Sequence, residues 1–62
     1  MIEARITKLR FAGIGVKYEV CFLFGLLDSF THPDLFSSLA DARAFVKTHT
    51  ANCKNPVPVI VH

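Results

Sequence analysis

Cysteine and histidine are the residue types of this sequence that could support metal binding or nucleophilic chemistry. They occur at five positions: Cys21, Cys53, His32, His49 and His62. His49 and Cys53 have the spacing of one half of a zinc site. No close pair of cysteines completes such a site, and Cys21 lies inside an apolar run. The sequence therefore predicts no metal site and no other cofactor.

Catalysis by a cysteine needs an activated thiolate, a base within hydrogen-bond reach and a pocket. Cys53 has only Lys54 beside it as an activating charge, and Cys21 is better explained as a small buried hydrophobic residue. The three aspartates fall at turn or cap positions, where each has a local backbone role. A chain this short also has little volume for a pocket. We therefore predict no catalytic residue and no enzyme activity.

Basic side chains with aromatic residues among them occur in the first third of the chain. Four basic residues fall on a predicted β-hairpin: Arg5, Lys8, Arg10 and Lys17. Basic residues on a β-ribbon can follow a phosphate backbone, and Phe11 and Tyr18 could stack on bases. Lysine and arginine also protect edge strands from aggregation, and Glu3 and Glu19 dilute the positive charge. Nucleic-acid contact through the four basic residues is therefore an alternative prediction, ranked below protein binding.

Length and composition restrict the class of protein. Hydrophobic residues make up 52% of the sequence and charged residues 19%, which excludes a disordered chain. The 62 residues predict a single domain over positions 1–62. Domains this short bury only about 60% of the surface of the unfolded chain, so they often need a staple or a partner. The net charge of +2 permits an acidic partner without predicting one.

The sequence also bears on location. It opens with mixed charged and apolar residues instead of a signal peptide, and two cysteines are fewer than a small secreted domain usually carries. We therefore predict a cytoplasmic protein, with a Cys21–Cys53 disulfide as the alternative. The longest almost wholly apolar run has eight residues, from Val20 to Leu27, whereas a membrane-spanning helix needs about 20. The sequence predicts no contact with a membrane.

Alternation of polar and apolar residues predicts a first strand at the start of the chain. Apolar residues occupy even positions from Ile2 to Ile6 but odd positions at Leu9 and Phe11. Side chains of a strand alternate between faces, so this change of parity needs an inserted residue or a second apolar face. We predict a β-bulge near Thr7–Lys8, with the second face as the alternative.

A glycine-containing turn at Ala12–Gly15 predicts a hairpin with a second strand. The inner face of that strand carries a run of apolar residues at even positions: Val16, Tyr18, Val20, Phe22 and Phe24. Its outer face begins with Lys17 and Glu19 and continues with the apolar Cys21 and Leu23. The end of the second strand is therefore apolar on both faces.

The second half of the chain predicts one helix between short extended segments. Gly25 ends or bends the second strand, and the residues from Leu26 to Thr31 predict a short third strand or an irregular loop with buried leucines. Ser37 or Ser38 is a good N-cap for a helix that runs from Ser38 to about His49, and Asp41, three residues after Ser38, resembles the acid of a capping box. A rival start lies at Pro33. The apolar stripe of this helix consists of Leu39, Ala42, Phe45 and Val46. The proline-led segment Pro56–His62 predicts an edge strand.

These elements predict an α+β fold. It has a small antiparallel β-sheet of three to four strands (the β-hairpin, a short third strand and a C-terminal edge strand), with one α-helix packed on one face. One helix covers one face, so an apolar set is left on the other: Leu9, Phe11, Cys21 and Leu23. Such a patch is large for a monomer, and C₂ dimers are the commonest oligomers. A hairpin followed by a helix that opens with SLADARAFV is a common layout in small bacterial proteins, but it identifies no family.

The uncovered face leads to a prediction of function. We predict a small non-enzymatic protein that forms a homodimer and serves as an interaction or regulatory module, with a larger protein as a further candidate partner. The C-terminal strand could also cross to the partner chain.

Overall fold

The computed structural model describes residues 2–62. The elements in chain order are β1 (Glu3–Phe11), β2 (Gly15–Leu23), β3 (Ser29–Thr31), α1 (Leu39–Thr50) and β4 (Val59–Val61). The strands form one sheet in the order β3-β2-β1-β4, and α1 packs on one of its faces. The predicted α+β fold, with one helix on a small sheet, is confirmed.

The hairpin of β1 and β2 is continuous over its whole length. The two strands pair in antiparallel register from Glu3 with Leu23 to Phe11 with Gly15, without an inserted residue. The predicted bulge near Thr7–Lys8 is therefore wrong, and the alternative of a second apolar face is confirmed. Gly13 and Gly15 have φ angles of 82° and 96°, so they supply the positive φ that the turn requires.

The third strand is shorter than the sequence predicts. It spans only Ser29–Thr31, because the carbonyl of Asp28 accepts hydrogen bonds from the amides of Phe24 at 2.8 Å and Gly25 at 3.2 Å. These bonds close a tight loop that places Leu26 and Leu27 at its tip. The predicted short third strand is therefore confirmed over Ser29–Thr31. Both leucines are fully exposed, so the alternative of a loop with buried leucines is wrong.

The C-terminal strand lies at the edge of the sheet, as its prolines predict. It pairs with β1 from Ala4 with Val59 to Ile6 with Val61, and this pairing is parallel. The sheet is therefore mixed, whereas the sequence predicted an antiparallel one. Parallel neighbours cannot be joined by a tight turn, and the chain reaches β4 by way of α1.

The helix begins where the capping signal places it. Ser38 has the extended backbone of an N-cap, and its Oγ accepts a hydrogen bond from the amide of Asp41 at 3.1 Å. The predicted start is confirmed, and the rival start at Pro33 is wrong. Asp41 in the first turn and Lys47 near the end also suit the helix dipole.

Replacing Ser38 with alanine removes this cap. We expect Ser38→Ala to lower the free energy of unfolding by about 1 kcal/mol, because the amide of Asp41 loses its acceptor. Urea unfolding followed by circular dichroism measures the change. Ser37→Ala is the matched control, since the exposed Ser37 caps nothing, and it should change the value by less than about 0.5 kcal/mol. Equal losses in the two variants would contradict the assignment of the cap.

The core lies between α1 and the middle of the sheet. Its buried members are Ala4, Ile6, Val20, Phe22, Ala42 and Val46. Partly buried residues that pack against them are Tyr18, Phe36, Leu39, Phe45 and Val57. All four residues of the predicted helix stripe are thus in place. Two residues of the predicted inner face, Val16 and Phe24, lie outside this cluster, and Phe24 is 45% exposed just beyond the end of β2.

Candidate functional site

The face of the sheet opposite α1, called the open face below, is the candidate site. Since Ile6 and Val20 point toward the helix, their neighbours along each strand point away from it. The structure therefore brings the four predicted interface residues to one face. With a fifth apolar residue from β4, the set is Leu9, Phe11, Cys21, Leu23 and Ile60. The sequence analysis missed Ile60, because its face depends on the register between β4 and β1.

The apolar residues of the open face fall into two pairs along the hairpin. Cys21 and Leu23 lie at the four-stranded end, and Leu9 and Phe11 lie near the turn. The polar pair Thr7–Glu19 lies between them. Four residues separate the row of Cys21 from the row of Leu9, which is about 13 Å at the usual rise of a strand. The open face thus offers two apolar contact points instead of one continuous patch.

These side chains are sheltered by their strand neighbours but not by a second layer. Leu9, Cys21 and Leu23 are half-buried, while Phe11 and Ile60 are each 38% exposed. None of the five belongs to the core cluster or packs against it. Within residues 2–62, α1 is the single helix, and its buried residues face the other side of the sheet. No helix of the described chain therefore covers the open face.

The charges on the open face are balanced. Its charged residues are Glu3, Arg5, Lys17 and Glu19, two of each sign. Arg5 forms an ion pair with Glu3, and Lys17 donates a long hydrogen bond of 3.5 Å from its Nζ to Ser37 Oγ. These exposed or half-exposed pairs contribute little to stability. Their importance is that the face presents both signs to whatever binds it.

The four basic residues predicted for nucleic-acid contact are divided between the two faces. Arg5 and Lys17 lie on the open face, whereas Lys8 and Arg10 point to the helix side, where they pair with Tyr18 and Val16 of β2. Strand alternation causes this division, because the first two are at odd positions and the last two at even positions. The structure thus gives no single face that carries all four cations.

The sequence matches no known protein-family model, and its comparison with curated proteins and with solved structures gives no significant match. The candidate function therefore rests on the surfaces and side chains of this chain alone.

A cluster of aromatic and imidazole rings occupies the helix side of the sheet. Phe45 of α1 lies between His32 and His49, with ring centroids 4.4 Å and 4.0 Å away. Phe22 and Phe36 lie on the same cluster, at 6.0 Å and 5.0 Å from Phe45. The sequence analysis missed this cluster, although Phe45 and His49 are one helical turn apart. The imidazole rings of His32 and His49 are tilted by 38° and 34° from the plane of the Phe45 ring.

The residues considered for metal or nucleophile chemistry do not assemble into a site. Cys21 and Cys53 are free and half-buried. A depression of about 240 Å³ follows α1, and its lining from Cys53 to Val57 includes a thiol and the amine of Lys54 but no histidine or carboxylate. Within residues 2–62, no three His, Cys, Asp or Glu side chains are grouped to hold a metal ion. Nor does any helix of those residues have the length and apolar character to cross a membrane.

Proposed function

We propose that this protein is a small non-enzymatic interaction module that forms a homodimer through the open face. The observation that carries the proposal is the pair of apolar contact points, Cys21 with Leu23 and Leu9 with Phe11, on a sheet face that no helix of residues 2–62 covers. Apolar surface of this kind is stabilised when a second surface removes it from water.

Charge balance supports a second copy of the chain as the occupant. In a C₂ dimer the same surface meets itself, so a face of one sign would repel its copy. The open face instead carries Glu3 and Glu19 together with Arg5 and Lys17. Rotation about a two-fold axis can therefore bring acids over bases. A polyanion such as DNA would meet two carboxylates on the same face.

The size of the open face sets the expected strength of the dimer. Its nine-residue strands are about 30 Å long, and four strands span about 14 Å between the axes of the outer two. A standard interface buries about 800 Å² per partner, and this face lies at or below that size because β3 and β4 are short. We therefore expect a dimer that dissociates on dilution.

Leu23→Asp should weaken the dimer. The aspartate would place an unpaired charge in the contact, so we expect the dissociation constant to rise at least about tenfold, which is ~1.4 kcal/mol. Light scattering across a concentration series measures the mass of the particle. Leu26→Asp is the matched control, because it makes the same change at the exposed loop tip, outside the open face, and should leave the mass unchanged.

Three results would count against the proposal. If Leu26→Asp reduces the mass and Leu23→Asp does not, the contact involves the loop tip instead of the open face. If the wild-type chain is a single-chain particle at every concentration, the homodimer is wrong, and a larger partner protein becomes the occupant to seek. A gain in mass on adding duplex DNA, lost steeply with salt, would favour the nucleic-acid alternative.

A further inference from the structure

The outer edge of β4 is unprotected. Its residues Val59, Ile60 and Val61 are all β-branched and are 36%, 38% and 39% exposed. Soluble proteins usually protect an edge strand with lysine, an inward charge, a bulge or a proline that removes an outward amide. The sequence of β4 has no charged residue. Protection of the edge would therefore have to come from the two prolines that precede the strand, Pro56 and Pro58.

The prolines do not protect this edge. The carbonyl of Pro58 accepts a hydrogen bond from Ala4 at 2.9 Å, and His62 both donates to Ile6 at 2.8 Å and accepts from Lys8 at 3.1 Å. Residues 58, 60 and 62 therefore direct their backbone groups toward β1. By alternation, the N–H and C=O groups of Val59 and Val61 point away from the sheet. Pro58 and Pro56 share the inward parity, so neither removes an outward donor.

We infer that β4 pairs with β4 of a second copy of this chain, in antiparallel register about a two-fold axis at Ile60. In this register Val59 lies opposite Val61 of the other copy. Each such pair exchanges two hydrogen bonds, so the two outward amides and two outward carbonyls of each strand are all satisfied by four bonds. The two sheets join into one sheet of eight strands.

The same register accommodates the prolines and the apolar side chains. Pro58 falls opposite His62 of the other copy, at a non-hydrogen-bonded position where no amide is required. Ile60 lies opposite Ile60 of the other copy, also at a non-hydrogen-bonded position, with about 4.5 Å between the two Cα atoms. The exposed side chains of Val59, Ile60 and Val61 thus gain β-branched neighbours across the new pairing.

Like charges do not oppose this contact. The nearest cation on the open side is Arg5, which pairs with Ile60 across one strand spacing. The two copies of Arg5 would be three spacings apart, about 14 Å, which exceeds the Debye length of about 8 Å at physiological salt. Each arginine also has Glu3 as its ion-pair partner.

Pairing at this edge goes beyond the homodimer proposed above, because it uses a different surface. The edge contact extends the sheet within its own plane, whereas the open-face contact stacks a second sheet on it along the normal to that plane. The two contacts are therefore compatible in one particle. Two such contacts close into a particle of four chains when their two-fold axes intersect at a right angle. We expect that arrangement for a chain that uses both contacts, and a particle of two chains for one that uses a single contact.

Amide hydrogen exchange tests the edge contact directly. The amide of Ile60 faces β1 and should be protected at any concentration. The amides of Val59 and Val61 should exchange at least about tenfold more slowly in the associated protein than in the dilute protein. Fast exchange of both valine amides at a concentration where the particle holds more than one chain would overturn the inference.

A proline substitution isolates the outward amide. Val61→Pro removes one outward N–H while leaving the hydrogen bonds of Ile60 and His62 with β1, and it should abolish the edge contact. Val61→Thr is the matched control, because it keeps the amide, the β-branched shape and the strand propensity, and should keep the contact. Circular dichroism checks that both variants are folded. If Val61→Pro unfolds the chain, the exchange measurement on the wild-type protein decides.

Mass measurements on single and double variants separate this inference from the open-face dimer. We expect wild-type particles of four 6.9 kDa chains, two chains for Val61→Pro or Leu23→Asp, and one chain for the double variant. A wild-type particle of two chains that only Val61→Pro dissociates supports the edge contact and contradicts the open-face dimer. A wild-type particle of two chains that only Leu23→Asp dissociates supports the open-face dimer and contradicts the edge contact. A mass that Val61→Pro leaves unchanged also overturns the edge contact.

Discussion

Phe22→Ala should remove most of the stability of this domain. Phe22 is 4% exposed, and its ring lies about 6 Å from those of Phe45 and His49. Truncating a buried phenylalanine to alanine costs about 3–5 kcal/mol. A chain of 62 residues has a total stability of only about 3–9 kcal/mol at the usual value per residue. We therefore expect a large unfolded population at room temperature, measured by circular dichroism and urea unfolding.

Phe24→Ala is the matched control for Phe22→Ala. Phe24 follows on the same chain segment but is 45% exposed and lies outside the core cluster. Its truncation should cost less than about half of the loss expected for Phe22→Ala, because nearly half of the Phe24 side chain is already exposed to water. If the two variants were equally destabilised, the core would extend past the end of β2, and the tight loop at Asp28 would be misplaced.

The hairpin and the helix could be predicted because their signals are local. Gly13 and Gly15 supply the positive φ of the turn, and alternation gives the strand faces on either side. Ser38 with Asp41 three residues later marks the first turn of the helix. In both cases the residues that specify the turn or the helix start are close in sequence to the residues that form it.

The change of parity in β1 shows where local signals end. A bulge would have kept Leu9 and Phe11 on the helix side, but the core ends before that row of the sheet. Lys8 and Arg10 occupy the helix side there and are exposed, so no buried layer enforces the parity of the strand. The length of sheet that one helix of 12 residues can cover is a tertiary property, and the sequence pattern does not contain it.

The direction of β4 and the loop at Leu26 and Leu27 were not predictable for a related reason. Apolar β-branched residues indicate a strand at Val59–Val61, but they do not specify which strand it joins or in which direction. The hydrogen bonds of Phe24 and Gly25 to Asp28 close a loop that leaves two leucines in water. Hydrophobicity alone predicted that the leucines would be in a strand or buried.

In the candidate site, too, the features set by local sequence could be predicted, and those set by the pairing of distant strands could not. Parity along β1 and β2 was enough to predict that Leu9, Phe11, Cys21 and Leu23 leave the helix side. The addition of Ile60 required the register of β4, and the outward amides of Val59 and Val61 required its hydrogen bonds with β1. The residues that could be predicted belong to the hairpin, and the missed features belong to the strand that joins from a distance.

Ala42→Glu should unfold the domain. Ala42 is fully buried in the core cluster, on the side of α1 that meets the sheet, and Ala4 of β1 is fully buried in the same cluster. Small side chains at both positions allow the helix to approach the sheet closely. Glutamate has a helix propensity close to that of alanine, so the substitution changes burial far more than it changes the helix. An unpaired charge at this position should cost at least about 3–5 kcal/mol.

Ala44→Glu makes the same substitution two residues further along α1, on the exposed side of the helix. It should leave the free energy of unfolding within about 0.5 kcal/mol of the wild-type value. Burial raises the pKa of a glutamate in the folded chain above the value of about 4.3 in the unfolded chain, so the penalty at position 42 should shrink as the pH falls through that raised pKa and reach its minimum near pH 4. Chemical unfolding of both variants at pH 7 and pH 3.5, each compared with the wild-type protein at the same pH, measures the difference. Two equally stable variants at pH 7 would mean that a face of the helix other than the one with Ala42 and Val46 packs on the sheet.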